Sequence, residues 1–174
     1  MKIAKALKLK NRLAGEITRL KQIVQTHNSR EDFREKTYDI LQIVNEKLPK
    51  VMEDLVLVKT IIACSNGIEA TGSITKEMLQ NTPYWSIFMM AELKGLIETL
   101  RATDTKNGSF SHSVRSFIGS GSLENKPLVY IADLKQENVD EIIAASEKTI
   151  DALQDILDAH NATYDSPLLN DITV

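Results

Sequence analysis

Apolar residues recur every three or four positions along much of the chain, a spacing that predicts long amphipathic helices. In the first segment only Lys10 interrupts this spacing, and the segment ends at Asn28. Its members are Ile3, Ala6, Lys10, Leu13, Ile17, Leu20 and Val24. Ser29 follows directly, and serine is a frequent helix cap, so we expect it to begin the next helix.

The second apolar row is unbroken although it contains a proline. It consists of Leu41, Val44, Leu48, Val51, Leu55, Val58 and Ile62. Pro49 has no N–H and would leave the carbonyl of Asn45 without its helical donor. Because the row stays in phase across Pro49, we predict one kinked helix over residues 31–66, roughly 54 Å long at 1.5 Å per residue. A helix of that length indicates an elongated molecule.

Two further long helices are predicted after a connecting segment. Residues 74–80 are a possible short helix, and Thr82-Pro83 combines a capping residue with proline at the first helical position. These signals predict a third long helix over 83–103. The last apolar row predicts a helix from about 135 to 162, with Asp133 as its cap.

The segment between these two helices has a different composition. Residues 109–118 alternate apolar with small or polar side chains, and residues 127–132 are apolar and β-branched, which indicates a β-hairpin. We therefore predict a mainly α fold: an elongated antiparallel helical bundle or coiled coil with long helices. The whole chain, 1–174, is expected to form one helical domain with a small β-hairpin insertion at 108–132.

The formal net charge of −3 conceals two oppositely charged ends. Residues 1–21 carry seven basic side chains against one acidic, a net of +6, and residues 133–174 carry two basic against ten acidic, a net of −8. We expect the first and last helices to pair, within one chain or between subunits. The candidate charge pairs come from Lys5, Lys8 and Arg12 on one side and Asp151, Asp155 and Asp158 on the other. The alternatives for the three aspartates are a solvated helix face or a site that holds a cation.

The head of the third helix carries the most unusual composition of the chain. Tyr84, Trp85, Phe88 and Met89 lie close together in a chain that is only 5% aromatic. They are expected either to form ordinary core or to be a candidate interface, where such residues are enriched.

The residues that would carry chemistry do not form a recognisable catalytic or metal-binding motif. The histidines are His27, His112 and His160, and neither Glu-x-x-His nor His-Glu-x-x-His occurs. The single cysteine, Cys64, excludes an intramolecular disulfide and a multi-cysteine zinc site. We expect no enzymatic activity, no catalytic residue, no cofactor and no metal.

Three segments carry a resemblance to a known bacterial family. They are the opening Met1-Lys-Ile-Ala-Lys-Ala-Leu-Lys-Leu-Lys, the segment Ile61-Ile-Ala-Cys-Ser-Asn66 and the segment Ile150-Asp-Ala-Leu-Gln-Asp-Ile-Leu-Asp-Ala-His-Asn161. Over the first and last thirds of the chain they resemble the septicolysin-like proteins. The resemblance implies a helical protein, and the family name implies a pore-forming haemolysin. It transfers no functional residue.

The function predicted is that of a non-enzymatic structural or assembly protein that forms homo-oligomers. Ile40, Ile43, Ile61, Ile142 and Ile156 provide apolar rows beyond those that one bundle needs, and association would bury them. The alternative is a membrane-active protein, since the lysine-rich first helix could lie on anionic lipid. Nucleic acid is not an expected partner because the basic segment contains no aromatic residues. No secretory signal is recognised, so a cytoplasmic location is expected.

Overall fold

The computed structural model describes residues 3–65, 75–110 and 127–163. Over these residues the protein is mainly α-helical with a small antiparallel sheet, as predicted. Helix α1 spans Ile3–His27 and confirms the first predicted helix. Its buried residues are Ala6, Ile17, Leu20, Ile23 and Val24, so four members of the first apolar row face the core.

The second helix begins nine residues later than predicted, at Ile40. Helix α2 (Ile40–Gln42) continues as a π-helical segment (Ile43–Lys47) and then as helix α3 (Leu48–Ser65). The cap is Asp39, whose side chain accepts a hydrogen bond from the Gln42 N–H. One helix continues through Pro49, as predicted, but its predicted start at residue 31 and its predicted cap Ser29 were wrong. The continuous helix is about 39 Å long at 1.5 Å per residue, and the rod on which elongation was argued is not present.

The π-helical segment lies immediately before Pro49. In it the N–H of Leu48 donates to the carbonyl of Ile43, five residues back instead of four. The additional residue per turn rotates the preceding turn, so Ile40 and Ile43 are buried whereas Leu41 is 41% exposed. Ile40 and Ile43, which were expected to be buried by association with a second subunit, therefore belong to the core of this chain.

The possible short helix and the Thr82-Pro83 capping signal of the third long helix are both confirmed. Helix α4 spans Lys76–Gln80 and is capped by Thr75. Helix α5 spans Pro83–Arg101, with Pro83 in its first turn and the Thr82 hydroxyl accepting from the Trp85 N–H.

The last helix, α6, spans Gln136–Thr163 and confirms the predicted helix to within one residue at each end. Asp133 is not its cap. The carboxylate of Asp133 instead accepts a hydrogen bond from Arg30 at 3.1 Å and lies 3.2 Å from Lys36 Nζ. At the start of α6 the side chain of Asn138 accepts from the Lys135 N–H, while the Lys135 carbonyl accepts from Val139.

The sheet contains a strand that was not predicted. Strands β2 (Gly108–Phe110) and β3 (Leu128–Ala132) pair antiparallel, as expected for the hairpin, and residues 111–126 between them lie outside the described residues. Strand β1 (Ser29–Glu31) pairs with the other edge of β3, so the strand order is β1-β3-β2. Residues 29–31 therefore extend the sheet instead of opening a helix.

The directions of the long helices follow from contacts near the sheet. The side chain of Asn28, just after α1, donates to the carbonyl of Asp104, just after α5. The ring of His27 lies 4.9 Å from that of Tyr38, just before α2, and Thr105 donates to Gln136 at the start of α6. One end of every long helix therefore lies at the sheet: α1 and α5 run toward it along the chain, and α3 and α6 run away from it. Ile3, Ser65, Pro83 and Thr163 therefore end at the opposite side, here called the distal end.

The core joins the long helices near the sheet. It is formed by Ile17, Leu20, Ile23 and Val24 of α1, Ile40, Ile43, Val44, Leu48, Met52 and Leu55 of the second helix, Leu96 and Leu100 of α5, and Leu134 and Val139 at the start of α6. Most members come from the half of each helix nearer the sheet. No residue of α6 after Ser146 is buried, so the distal half of this helix contributes nothing to the core.

Candidate functional site

A basic row runs along the distal half of α1. It consists of Lys5, Lys8 and Arg12, all exposed, which line a shallow depression of about 250 Å³ together with Leu9. At 100° per residue these three side chains project from the side of α1 opposite to Ala6 and Ile17. The row is therefore solvent-facing along its whole length.

An acidic row occupies the corresponding half of α6. It consists of Asp151, Asp155 and Asp158, which are exposed and project away from the side that carries Val139 and Ser146. Asp158 accepts a hydrogen bond from Gln154 on the same helix at 2.8 Å. Asp151 also borders a small depression between α5 and α6.

The predicted pairing of these rows within one chain is not found. Helix α1 packs mainly against α3, whereas α6 packs mainly against α5. Among the ion pairs of the described residues, none joins the basic row to the acidic row. Glu147 of α6 instead forms an ion pair with Arg101 of α5, with the guanidinium nitrogen and the carboxylate oxygen 2.9 Å apart. Pairing between subunits stays a prediction.

The spacing of the two rows matches when the helices run antiparallel. From Lys5 the steps along the basic row are three and then four residues. From Asp158 backwards, the steps along the acidic row are also three and then four. At 1.5 Å per residue, Lys5 can face Asp158, Lys8 can face Asp155, and Arg12 can face Asp151 without either helix bending.

Exposed apolar side chains accompany the rows at the distal end. Ile3 is 52% exposed and Leu7 42% exposed on α1, and Ile156 is 53% exposed on α6. Tyr84 and Ile87 near the start of α5 are also exposed. This part of the molecule thus combines unpaired charge with uncovered apolar area.

The predicted aromatic interface is divided by the fold. Trp85 is buried in this chain, at 6% exposure, so little of its surface is left for a partner. Tyr84 is 46% exposed and stacks on half-buried Phe88, with ring centroids 6.5 Å apart, and Lys59 Nζ lies 5.7 Å from the Phe88 ring. Met89 faces elsewhere, into a groove between α3, α5 and α6.

That groove, of about 630 Å³, is a feature that the sequence did not predict. It lies beside the π-helical segment, and π-bulges occur frequently at functional sites. Its lining is Val44, Asn45, Pro49, Lys50, Met52, Glu53, Met89, Leu93, Leu96, Ile142, Ala145, Ser146 and Thr149. The only advance signal was Pro49, which predicted a kink but no concavity.

Two ionisable groups are perturbed by burial. Partial burial lowers the pKa of Lys21, with nearby Lys59 acting in the same direction and Glu92 and Glu98 opposing it. Burial raises the pKa of the Cys64 thiol, which favours the protonated, unreactive form. Neither group belongs to a cluster of potential catalytic residues, and the described residues contain no group of three or more His, Cys, Asp or Glu side chains placed to hold a metal ion.

Within the described ranges, none of the helices is both long enough and apolar enough to cross a membrane.

Comparison with known proteins adds no identification: no family model, no curated protein and no solved structure matches the chain significantly. The fold and its surfaces define the class only as a mainly α-helical protein with a small three-stranded antiparallel sheet.

Proposed function

We propose that the protein is a non-enzymatic assembly protein whose copies associate through the two charged rows at the distal end. The basic row of one copy lies antiparallel to the acidic row of the next. Each copy carries both rows, so both can be used in a homo-oligomer. The elongated coiled-coil character expected from the sequence would then be a property of the assembly.

The observation that carries the proposal is the matched spacing of two exposed rows of opposite charge. Lys5, Lys8 and Arg12 have no ion-pair partner within the described part of this chain, and the same holds for Asp151 and Asp155. Three opposite charges with matching spacing favour one register and direction of the two helices, since a displacement leaves charges of each row without a partner.

The charges alone give little affinity. An exposed ion pair contributes only about 0–1 kcal/mol, because solvent screens it and two long side chains must be ordered. At 100° per residue, Ile3 and Leu7 lie on other sides of α1 than the basic row, and Ile156 lies on another side of α6 than the acidic row, so contact between the rows does not cover them. Leu9, which lies among the basic side chains, is covered by such a contact, and apolar burial contributes roughly 25 cal/mol per Å². The proposal therefore predicts a specific but weak association that salt reduces.

A charge-swap experiment tests the proposal. One variant carries Lys5→Glu, Lys8→Glu and Arg12→Glu, and a second carries Asp151→Lys, Asp155→Lys and Asp158→Lys. Each variant alone presents like charges to its own copies and is expected to be monomeric. Mixed in equal amounts, the two variants present complementary rows again and are expected to associate, as measured by sedimentation velocity.

A control separates specific pairing from a change in net charge. Lys47→Glu, Lys106→Glu and Lys135→Glu change the net charge by the same amount as the basic-row variant, at exposed positions outside the rows. This variant is expected to associate as the unmodified protein does. If the mixture stays monomeric, or if the control dissociates as completely as the row variants, the pairing of rows is wrong.

The membrane-active alternative stays an untested prediction, and no observation on the described surfaces favours it. Release of a dye from anionic vesicles at micromolar protein would be the measurement that supports it.

A further inference from the structure

The groove beside the π-helical segment has the form of a ligand site. Its floor is apolar and deeply placed: Val44, Met52 and Leu96 are each at most 5% exposed. Half-buried Met89, Leu93 and Ile142 form the walls. The volume of about 630 Å³ falls within the range of small-molecule sites, roughly 300–1,000 Å³.

Small side chains and an irregular backbone keep this space open. Ala145 and Ser146 are the smallest side chains that α6 contributes to the lining, and Ser146 donates its hydroxyl to the Ile142 carbonyl, so its polar group is satisfied within α6. On the other wall Pro49 and the π-helical segment prevent the regular α-helical packing that would close the gap. The concavity thus follows from particular residues on both walls.

The rim of the groove carries one uncompensated charge, and it is positive. Glu53 is held by Lys76 of α4, with Nζ and Oε1 2.7 Å apart. Lys50 has no ion-pair partner within the described part of the chain. An apolar floor with a free ammonium at its edge complements a molecule with an alkyl chain and an anionic head.

We propose that this groove binds a monomeric fatty acid, with its alkyl chain along Met52, Leu96 and Ile142 and its carboxylate beside Lys50. Met89 and Met52 suit a chain of variable shape, because methionine side chains adapt to irregular contacts. The proposal does not depend on self-association, since neither charged row lines the groove.

Titration calorimetry with octanoate, decanoate and dodecanoate, each below its micellar concentration, tests the apolar part. We expect saturable binding of one molecule per chain, with affinity rising roughly tenfold for each pair of added methylenes. The absence of saturable binding, or an affinity independent of chain length, would overturn the proposal.

Matched variants test the location. Ala145→Trp places an indole in the groove and is expected to lower dodecanoate affinity at least tenfold, whereas Ala144→Trp, at the neighbouring exposed position outside the lining, is expected to leave it unchanged. Circular dichroism and thermal unfolding of both variants establish that they fold. Equal affinities in folded Ala145→Trp and Ala144→Trp would exclude the groove as the site.

A second pair of variants tests the head-group contact. Lys50→Gln is expected to weaken dodecanoate binding about three- to fivefold, in the range of a partly exposed ion pair, while Lys47→Gln, outside the groove, has no effect. Dodecyltrimethylammonium is expected to bind more weakly than dodecanoate to the unmodified protein. Undiminished dodecanoate binding by Lys50→Gln, or tighter binding of the cationic amphiphile, would overturn the assignment of an anionic ligand.

Discussion

At the scale of single residues, Asn28 makes the most interactions that the sequence could not reveal. Its side chain is fully buried, donates to the carbonyls of Asp104 and Leu134, and accepts from the Leu134 N–H at 2.7 Å. The sequence predicted only that a helix ends here. Its partners lie 76 and 106 residues away, so local pattern could not identify them.

Replacing Asn28 by alanine should destabilise the protein by about 2–4 kcal/mol, because three backbone groups near or in the core lose their partner. Chemical denaturation monitored by circular dichroism measures this change. Asn161→Ala, at an exposed position on α6, is the control and should stay within about 0.5 kcal/mol of the unmodified protein. A small effect of Asn28→Ala would show that the hydrogen bonds around it are dispensable.

Lys21 links residue-scale burial to the pH dependence of stability. Its pKa in the folded protein lies below the ordinary value of 10.5, chiefly because of burial. Between the folded-state pKa and 10.5 the unfolded chain binds more protons than the folded one, so the free energy of unfolding rises with pH. The destabilisation caused by burying the charged ammonium disappears above 10.5. This destabilisation is fully present below the folded-state pKa.

The variant Lys21→Met removes this titration while keeping most of the apolar stem. The free energy of unfolding of the unmodified protein, minus that of the variant, should therefore increase with pH over the range approaching 10.5. Urea denaturation of both proteins across that range measures the difference. Parallel pH profiles would contradict the assignment of a desolvated ammonium to Lys21.

At the scale of elements, the sequence predicted those that depend on local signals. The apolar rows located α1 and α6, and Thr82-Pro83 located the start of α5. Strand β1 was missed because residues 29–31 carry no alternating pattern and form a strand only by pairing with β3. The π-helical segment was missed because the apolar row stays in phase across Pro49 and so predicts regular helical spacing with a kink.

Gly15 offers a test of how much helix propensity contributes to α1. A Cβ added there meets no atom within 4 Å, so Gly15→Ala should raise the free energy of unfolding by up to about 1 kcal/mol through backbone entropy alone. At Gly95, in α5, an added Cβ lies 2.8 Å from Lys21 Nζ, and the flexible lysine must move. Gly95→Ala should therefore stabilise less than Gly15→Ala, as thermal unfolding of the two variants would show. A larger gain at Gly95 would contradict the close approach of Lys21.

At the scale of the whole molecule, the sequence predicted the distribution of charge but not which charged groups pair within the chain. The basic and acidic ends were evident, and their members lie exposed on α1 and α6. The two charged rows do not meet within one chain because α1 packs mainly against α3 and α6 packs mainly against α5. No local sequence pattern predicts this packing. The groove likewise arises from three elements together.

The mass of the unmodified protein in solution is the most direct test of assembly through the charged rows. Light scattering coupled to gel filtration should be run at tens of micromolar protein in about 0.05 M and about 1 M NaCl, where the Debye length falls to roughly 3 Å. We expect at least twice the 19.5 kDa of one chain at low salt and a shift toward the single-chain mass at high salt. A species of 19.5 kDa at low salt would contradict the account.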